Sequence, residues 1–274
     1  MRPRTVRLLI LLFVTLLVAA AWYSRDPAPP DWDRPLKVVI YPENADGSAA
    51  ARAHIEALSS DRFAAVETWL AGQAARYRLD LQKPFELELA DTVSGAPGEP
   101  DYASFWAHLQ WGLRLRLWYW TFDDQGRNPD ITFIVRYREG ERRDGLHSLG
   151  IPGMDLALAN LTANESAAGL NNVVLAHELL HTVGADDLYD PATGLPEYPQ
   201  GYADPDRRPR HPQSKAELMA GRIPLAPDRA VQADRLEQTV IGARTAADIG
   251  WTGPPPPSSS VIPGSTGNPV HQPR

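Results

Sequence analysis

Between Asn171 and Asp190 the chain reads NNVVLAHELLHTVGADDLYD, and this stretch holds the residues best suited to chemistry. His177 and His181 stand four positions apart. On a helix that spacing stacks two imidazoles on one face, one turn apart, where both can hold a single metal ion. Glu178 projects at an adjacent angle and can reach a metal-bound water without being a ligand, which suits a general base. The flanking Val173, Val174, Leu175, Leu179, Leu180 and Val183 are apolar, so the helix is expected to be buried. Two histidines and a glutamate in such a helix need partners, because buried polar groups are costly without them. A pair of solvated histidines on a surface helix is the bland alternative, and the apolar flanks speak against it.

Zinc with histidine ligands takes a third protein ligand and keeps one position open for water. Gly184 follows His181 by three residues, and a glycine there can end the helix in a left-handed conformation and fold the chain back. Asp187 follows three residues later, where the reversal can carry its side chain toward the metal. Asp186 competes for that role, and the spacing favours Asp187. Glu197 and Glu217 are acidic alternatives further along the chain. His147 and His211 are lone histidines, for which ordinary solvation is the simpler reading.

The pattern His-Glu-x-x-His-x-x-Gly-x-x-Asp over residues 177–187 resembles the metzincin clan of zinc metallopeptidases, in the minority form that ends in Asp, as in the snapalysin-like secreted peptidases. Tyr189, two residues beyond Asp187, extends the resemblance. The clan also carries a Met-turn beneath the metal, and Glu217-Leu218-Met219-Ala220-Gly221 is the candidate, with Met219 one of only three methionines in the chain. The resemblance covers residues 171–221. It implies a zincin-like α/β (α+β) fold, with a mixed twisted sheet, an active-site helix and a smaller C-terminal subdomain. It further implies Zn2+ held by His177, His181 and Asp187, with Glu178 as the catalytic base and Met219 as the structural Met-turn. Tyr189 is a candidate hydrogen-bond donor to the oxyanion. The substrate would be a peptide or protein, held extended against an edge strand supplied by Gly145–Gly153 or Asp155–Leu161. A non-catalytic peptide-binding module on the same fold and a zinc hydrolase of a non-peptide amide are the competing readings. A monomer is expected.

The first residues bear on where this chemistry would happen. Arg2, Arg4 and Arg7 precede Leu8–Tyr23, a run of 16 residues without a charge. That is between the length of a signal-peptide core and that of a spanning helix. Ala19–Ala21 suits cleavage, whereas Trp22 and Tyr23 suit a retained membrane anchor. Either way the basic flank stays inside and the body lies on the extracytoplasmic side, periplasmic or extracellular. Residues 1–23 are therefore read as anchor or signal peptide, 24–35 as a Pro-rich linker, 36–251 as the metallopeptidase domain and 252–274 as a disordered Pro/Ser-rich tail.

Composition agrees with a folded globular protein and excludes other classes. The hydrophobic fraction is 43% against 22% charged residues, too apolar for a disordered chain. The net charge of −7 argues against a nucleic-acid partner, and the lack of a polybasic run in the body disfavours a polybasic membrane-surface patch as well. With no cysteine, disulfides, thiolate metal ligands and a cysteine switch are all excluded, and any metal site must use histidine and carboxylate.

The elements needed to position the motif follow from periodicity. Leu36–Tyr41, Phe85–Ala90 and Ile131–Tyr137 read as strands, with Asp155–Leu161 a weaker one. Ser48–Tyr77 reads as one or two helices broken around Ser59–Asp61. Tyr102–Tyr119, with Phe105, Trp106, Leu109, Leu113 and Leu117 at helical spacing, reads as a helix. Its spacing assigns Trp106, Trp111, Trp118 and Trp120 to core packing with an amphipathic rim rather than to a platform for sugars or bases. Asn172–Val183 is the helix of the motif, and Asp228–Ile249 is expected to be another. The sequons at Asn160 and Asn164 are assigned no role.

Overall fold

The computed structural model describes residues 29–98, 105–140, 149–151 and 155–252, together with residues 7, 11, 13 and 14. The expected N-terminal anchor or signal peptide lies almost wholly outside the described residues, as do residues 24–28 of the linker and nearly all of the expected tail. Among the described residues no helix is long and apolar enough to cross a membrane.

The chain forms a mixed α/β structure around one five-stranded sheet. Its strands are β1 (Leu36–Asn44), β2 (Phe85–Leu89), β3 (Ile131–Arg138), β4 (Leu149–Ile151) and β5 (Leu156–Thr162). The order is β2-β1-β3-β5-β4, with the first four parallel and β4 antiparallel to β5. Parallel pairs need crossovers, and those from β1 to β2 and from β2 to β3 are helical. They include α1 (Ala49–Glu56), α2 (Ala64–Arg76) and α3 (Phe105–Trp120). The motif helix α4 (Ala168–Thr182) follows β5.

Both faces of the sheet are covered, so β3 and β5 are buried almost end to end rather than alternating. Val38, Ile40, Phe133, Val135, Ala157 and Ala159 face α1, α2 and α4. Val39, Tyr41, Ile134, Leu156 and Leu158 face α3. This places the motif helix and α3 on opposite sides of the sheet.

Three expectations change. Of the two segments considered for an edge strand, only one is at an edge: Leu149–Ile151, within Gly145–Gly153, forms one edge opposite β2, whereas Asp155–Leu161 lies inside the sheet between β3 and β4. In α3 the side that meets the sheet is Leu115 with parts of Trp111, Trp118 and Tyr119. The stripe Trp106, Leu109, Leu113 and Leu117, continued by Trp120, is exposed instead. Helical periodicity finds a stripe, and here a second stripe on the same helix takes the core.

Asp228–Ile249 is not one helix. It holds β8 (Arg229–Gln232), β9 (Thr239–Val240) and the six-residue helix α5 (Ala243–Asp248). β8 pairs with β7 (Arg222–Ala226), and β9 pairs with β6 (Ala216–Glu217). Its backbone donors go to distant acceptors: Ala233 to the Gly221 carbonyl at 3.2 Å, Ile241 to Gln73 at 3.0 Å and Gly242 to Glu217 at 3.0 Å. Those long-range bonds outweigh the helix propensity of an alanine-rich segment. Leu218, Met219, Leu236, Ile241 and Ala246 share the core that buries α4.

Candidate metal centre

Helix α4 buries Val173, Leu175, Ala176, Leu179 and Leu180 and keeps His177 and His181 half-buried at its C-terminal end. The two rings meet edge to face at 4.7 Å, as the four-residue spacing predicts. Gly184 then takes a positive φ of 105°, a conformation that favours glycine. The chain reverses, and the amide of Ala185 donates to the Leu180 carbonyl at 3.0 Å. The reversal has two results. It puts the Ala185 carbonyl 2.7 Å from His181 Nδ1, and it brings Asp187 back over both imidazoles.

Each Nδ1 is fixed by a backbone carbonyl. His177 Nδ1 donates to Leu218 at 3.1 Å and His181 Nδ1 donates to Ala185. A carbonyl can only accept, so the Nδ1 protons are in place and the Nε2 lone pairs turn to the same point. His177 Nε2 and His181 Nε2 are 3.1 Å apart, and Asp187 Oδ1 is 3.1 Å from the first and 3.3 Å from the second. Two imidazole lone pairs and a carboxylate oxygen this close repel one another unless a cation neutralises them. Bonds of about 2.0–2.1 Å give ligand–ligand edges of about 3.3 Å in a tetrahedron and about 3.0 Å on an octahedral face. The observed triangle lies in that range, so its three atoms fit one first-row metal ion. Among the described residues these three are the group whose ligand atoms converge in this way.

Charge follows the same geometry. Burial lowers the affinity of His177 for a proton. The Asp187 hydrogen bond, the charges of Glu178 and Asp187 and the Leu218 carbonyl outweigh it, and its pKa is raised to about 9. Burial likewise pushes the Asp187 carboxyl up, but the two imidazoles hold it well below the usual carboxylate range. The triangle is built to hold positive charge.

Glu178 is buried, and its Oε1 lies 4.0 Å from His177 Nε2, beside the triangle rather than in it. Tyr189 donates its hydroxyl to Asp187 Oδ2 at 3.2 Å, so it holds the far oxygen of that carboxylate. Asp186 points elsewhere, to Arg244 at 3.3 Å. Glu197 is exposed on the following loop, and His211 pairs with Tyr202 at 3.1 Å. His147 lies outside the described residues.

The turn Leu218–Ala220 sits against this centre. Met219 is fully buried, the Leu218 carbonyl orients His177, and the Met219 carbonyl accepts the Leu188 amide at 3.1 Å. Glu217 locks the turn. One oxygen accepts the amides of Met219 at 2.6 Å and Ala220 at 3.1 Å; the other accepts Gly242 N at 3.0 Å and Thr245 Oγ1 at 2.7 Å. Both its oxygens are committed, so Glu217 is no alternative ligand. Spacing along the chain missed this role. The available signal was an acidic residue capping a short turn that ends in glycine: Gly221 has φ 68°.

No family model matches the chain, and no curated protein matches it.

Proposed function

We propose that this chain is a zinc-dependent endopeptidase of metzincin type, acting on peptide or protein substrates outside the cytoplasm. The observation that carries the reading is the buried carboxylate of Glu178, set 4.0 Å from a ligand nitrogen of a triangle sized for one ion. The triangle alone suits zinc or iron, since two histidines and a carboxylate can serve either. A carboxylate placed to handle protons beside it favours hydrolysis, and hydrolysis favours zinc.

A zinc ion held by His177, His181 and Asp187 would supply Lewis acidity and bring the pKa of a water toward about 7. Glu178 takes a proton from the attacking water and delivers it to the departing amine. Tyr189 keeps Asp187 Oδ2 occupied, so that Oδ1 alone faces the imidazoles. The Met219 turn fixes the ring of His177 through the Leu218 carbonyl.

Two features of the sheet support a zincin-like fold and an extended substrate. The strands are parallel except β4, and β4 stands at the edge beside α4. Among the described residues no strand pairs with its outer side, and an extended peptide can add there by backbone hydrogen bonds. The arginines before the apolar run Leu8–Tyr23 support placement of the body outside the cytoplasm.

The test combines elemental analysis of the purified full chain with digestion of casein and a peptide library. The expected result is stoichiometric zinc and cleavage that a chelator abolishes. Glu178→Gln keeps the zinc and loses at least about 100-fold in turnover. Iron in place of zinc, or zinc without cleavage, would overturn the reading.

A further inference from the structure

A loop, residues 188–215, joins Asp187 to β6 and the Met219 turn, so it begins and ends at the metal centre. Its own packing fixes its shape. The Glu197 amide donates to the Leu188 carbonyl at 2.9 Å, and Gly201 packs against that same carbonyl. Gln213 pins the returning arm. Its side chain accepts the Asp204 amide at 2.9 Å and donates to the carbonyls of Asp204 at 2.9 Å and Arg210 at 2.7 Å. Tyr198 meets Tyr202 edge-on at 5.3 Å, and the Tyr202 hydroxyl is 3.1 Å from His211 Nε2.

Three arginines are held on this framework by neutral groups. The Arg210 guanidinium lies 3.7 Å from the centroid of the Tyr198 ring. Arg208 Nη1 donates to the carbonyls of Asp206 at 3.0 Å and Arg207 at 2.9 Å. Arg222 directly follows the glycine that ends the Met219 turn. Its guanidinium carbon is 3.5 Å, and both terminal nitrogens are 3.7 Å, from the place a Cβ on Gly194 would occupy. All three arginines are exposed. Elsewhere in the chain arginines pair with carboxylates: Arg34 with Asp130, Arg136 with Glu43 and Arg244 with Asp248. Among the described residues no carboxylate pairs with these three, although Asp204 and Asp206 are exposed on the same loop. A guanidinium fixed by a ring or a carbonyl has already lost side-chain freedom. Its remaining N–H donors keep the planar fork that fits a carboxylate.

We propose that Arg208, Arg210 and Arg222 select acidic polypeptide substrates, receiving aspartate or glutamate side chains a few residues from the bond to be cut. The proposal rests on the peptidase reading and names the substrate class of that site. Position supports it. Leu188 adjoins the ligand Asp187, Gly201 touches Leu188, and Tyr198 lies three residues before Gly201. Counted through these contacts, Arg210 is at most about 25 Å from the triangle, within about seven residues of an extended chain. Arg222 follows the turn whose Leu218 carbonyl orients His177. Charge sets the range of the effect. The chain carries −7 in total, so no long-range field gathers acidic substrates. Recognition comes instead from short-range pairing with guanidiniums already in place.

The test uses two matched peptide libraries around a common cleavable core, one carrying Asp and Glu at the flanking positions and the other Asn and Gln. With the full zinc-loaded chain, kcat/KM is expected to be at least about fivefold higher for the acidic library, with the difference in KM. In the triple variant Arg208→Gln/Arg210→Gln/Arg222→Gln the ratio between libraries falls to within about twofold of one. Arg210→Lys keeps the charge but not the planar stack, and is expected to lose part of the preference. The single Gln variants repeat the measurement if the triple variant melts differently from wild type. In parallel, labelled acidic and amide peptides are titrated into Glu178→Gln, with and without the arginine changes, and binding is read by anisotropy. Equal kcat/KM for the two libraries in the wild type overturns the proposal and leaves the peptidase reading standing. An acidic preference that survives loss of the arginines overturns it as well. Cleavage of neither library ends the peptidase reading, and anisotropy then decides. Tighter binding of acidic peptides that is lost with the arginines keeps them as an acidic-peptide site, and equal binding removes that too.

Discussion

Glu217 accepts the amide of Met219 at 2.6 Å with one carboxylate oxygen and the hydroxyl of Thr245 at 2.7 Å with the other. One fully buried side chain thereby ties the turn under His177 to the start of α5. Burial pushes its carboxyl pKa up, and its four hydrogen bonds pull against that. Glu217→Ala would strand three backbone donors in the core. It is expected to cost at least about 3 kcal/mol of unfolding free energy, read by denaturant titration. Glu217→Gln keeps the shape and should cost less. Equal stability of the wild type and Glu217→Ala would remove the lock.

Asp187 and Asp186 are neighbours with opposite fates. Asp187→Ala opens one corner of the triangle and is expected to lower metal affinity by about 100-fold or more. Asp186→Ala breaks only an exposed pair with Arg244, worth at most about 1 kcal/mol. It should leave affinity unchanged. Competition with a chelating dye separates the two, and a weaker site in Asp186→Ala would reassign the ligand.

Metal binding should depend on pH through His177. Its pKa in the metal-free fold is raised to about 9, so a proton must leave before Nε2 can bind an ion. Apparent affinity is expected to fall about tenfold per pH unit below 9 from this group alone. The metal-free chain shows the complementary trend. A raised histidine pKa adds stability that is complete below the unfolded value of about 6.5 and is lost as pH rises through 9. Calorimetric titration and metal-free melting curves across pH 6–10 check both slopes.

Gly201 holds the loop that backs the third ligand. A Cβ there would collide with the Leu188 carbonyl oxygen and stand 2.8 Å from the Glu197 amide. Leu188 adjoins Asp187, so the strain would fall on the metal corner. Gly201→Ala is expected to lose about 1–3 kcal/mol of stability and to weaken metal binding. An unchanged melting temperature would show that the loop yields freely.

The sequence was most legible where local geometry decides the outcome. The four-residue step from His177 to His181, and a glycine three beyond, set ring stacking and chain reversal with little help from elsewhere. Strands β1 and β3 were equally plain, because β-branched runs covered on both faces have few other uses. Where distant partners decide, the reading failed. Asp228–Ile249 has a helix-forming composition but spends its amides on Gly221, Gln73 and Glu217. α3 has two apolar sides, and only packing chooses between them. Glu217 looks like any acidic residue until the four donors around it are placed.

Trp32 donates its indole N–H to the Ile249 carbonyl at 2.7 Å, and its ring meets that of Trp251 edge-on at 5.9 Å. The first and last parts of the folded body are therefore stapled at one corner. A circular permutant closed there by a short loop, and opened at the Gly126 turn, would keep every strand neighbour it has now. The same corner would let the whole body be spliced into a surface turn of a host protein without prising that turn apart.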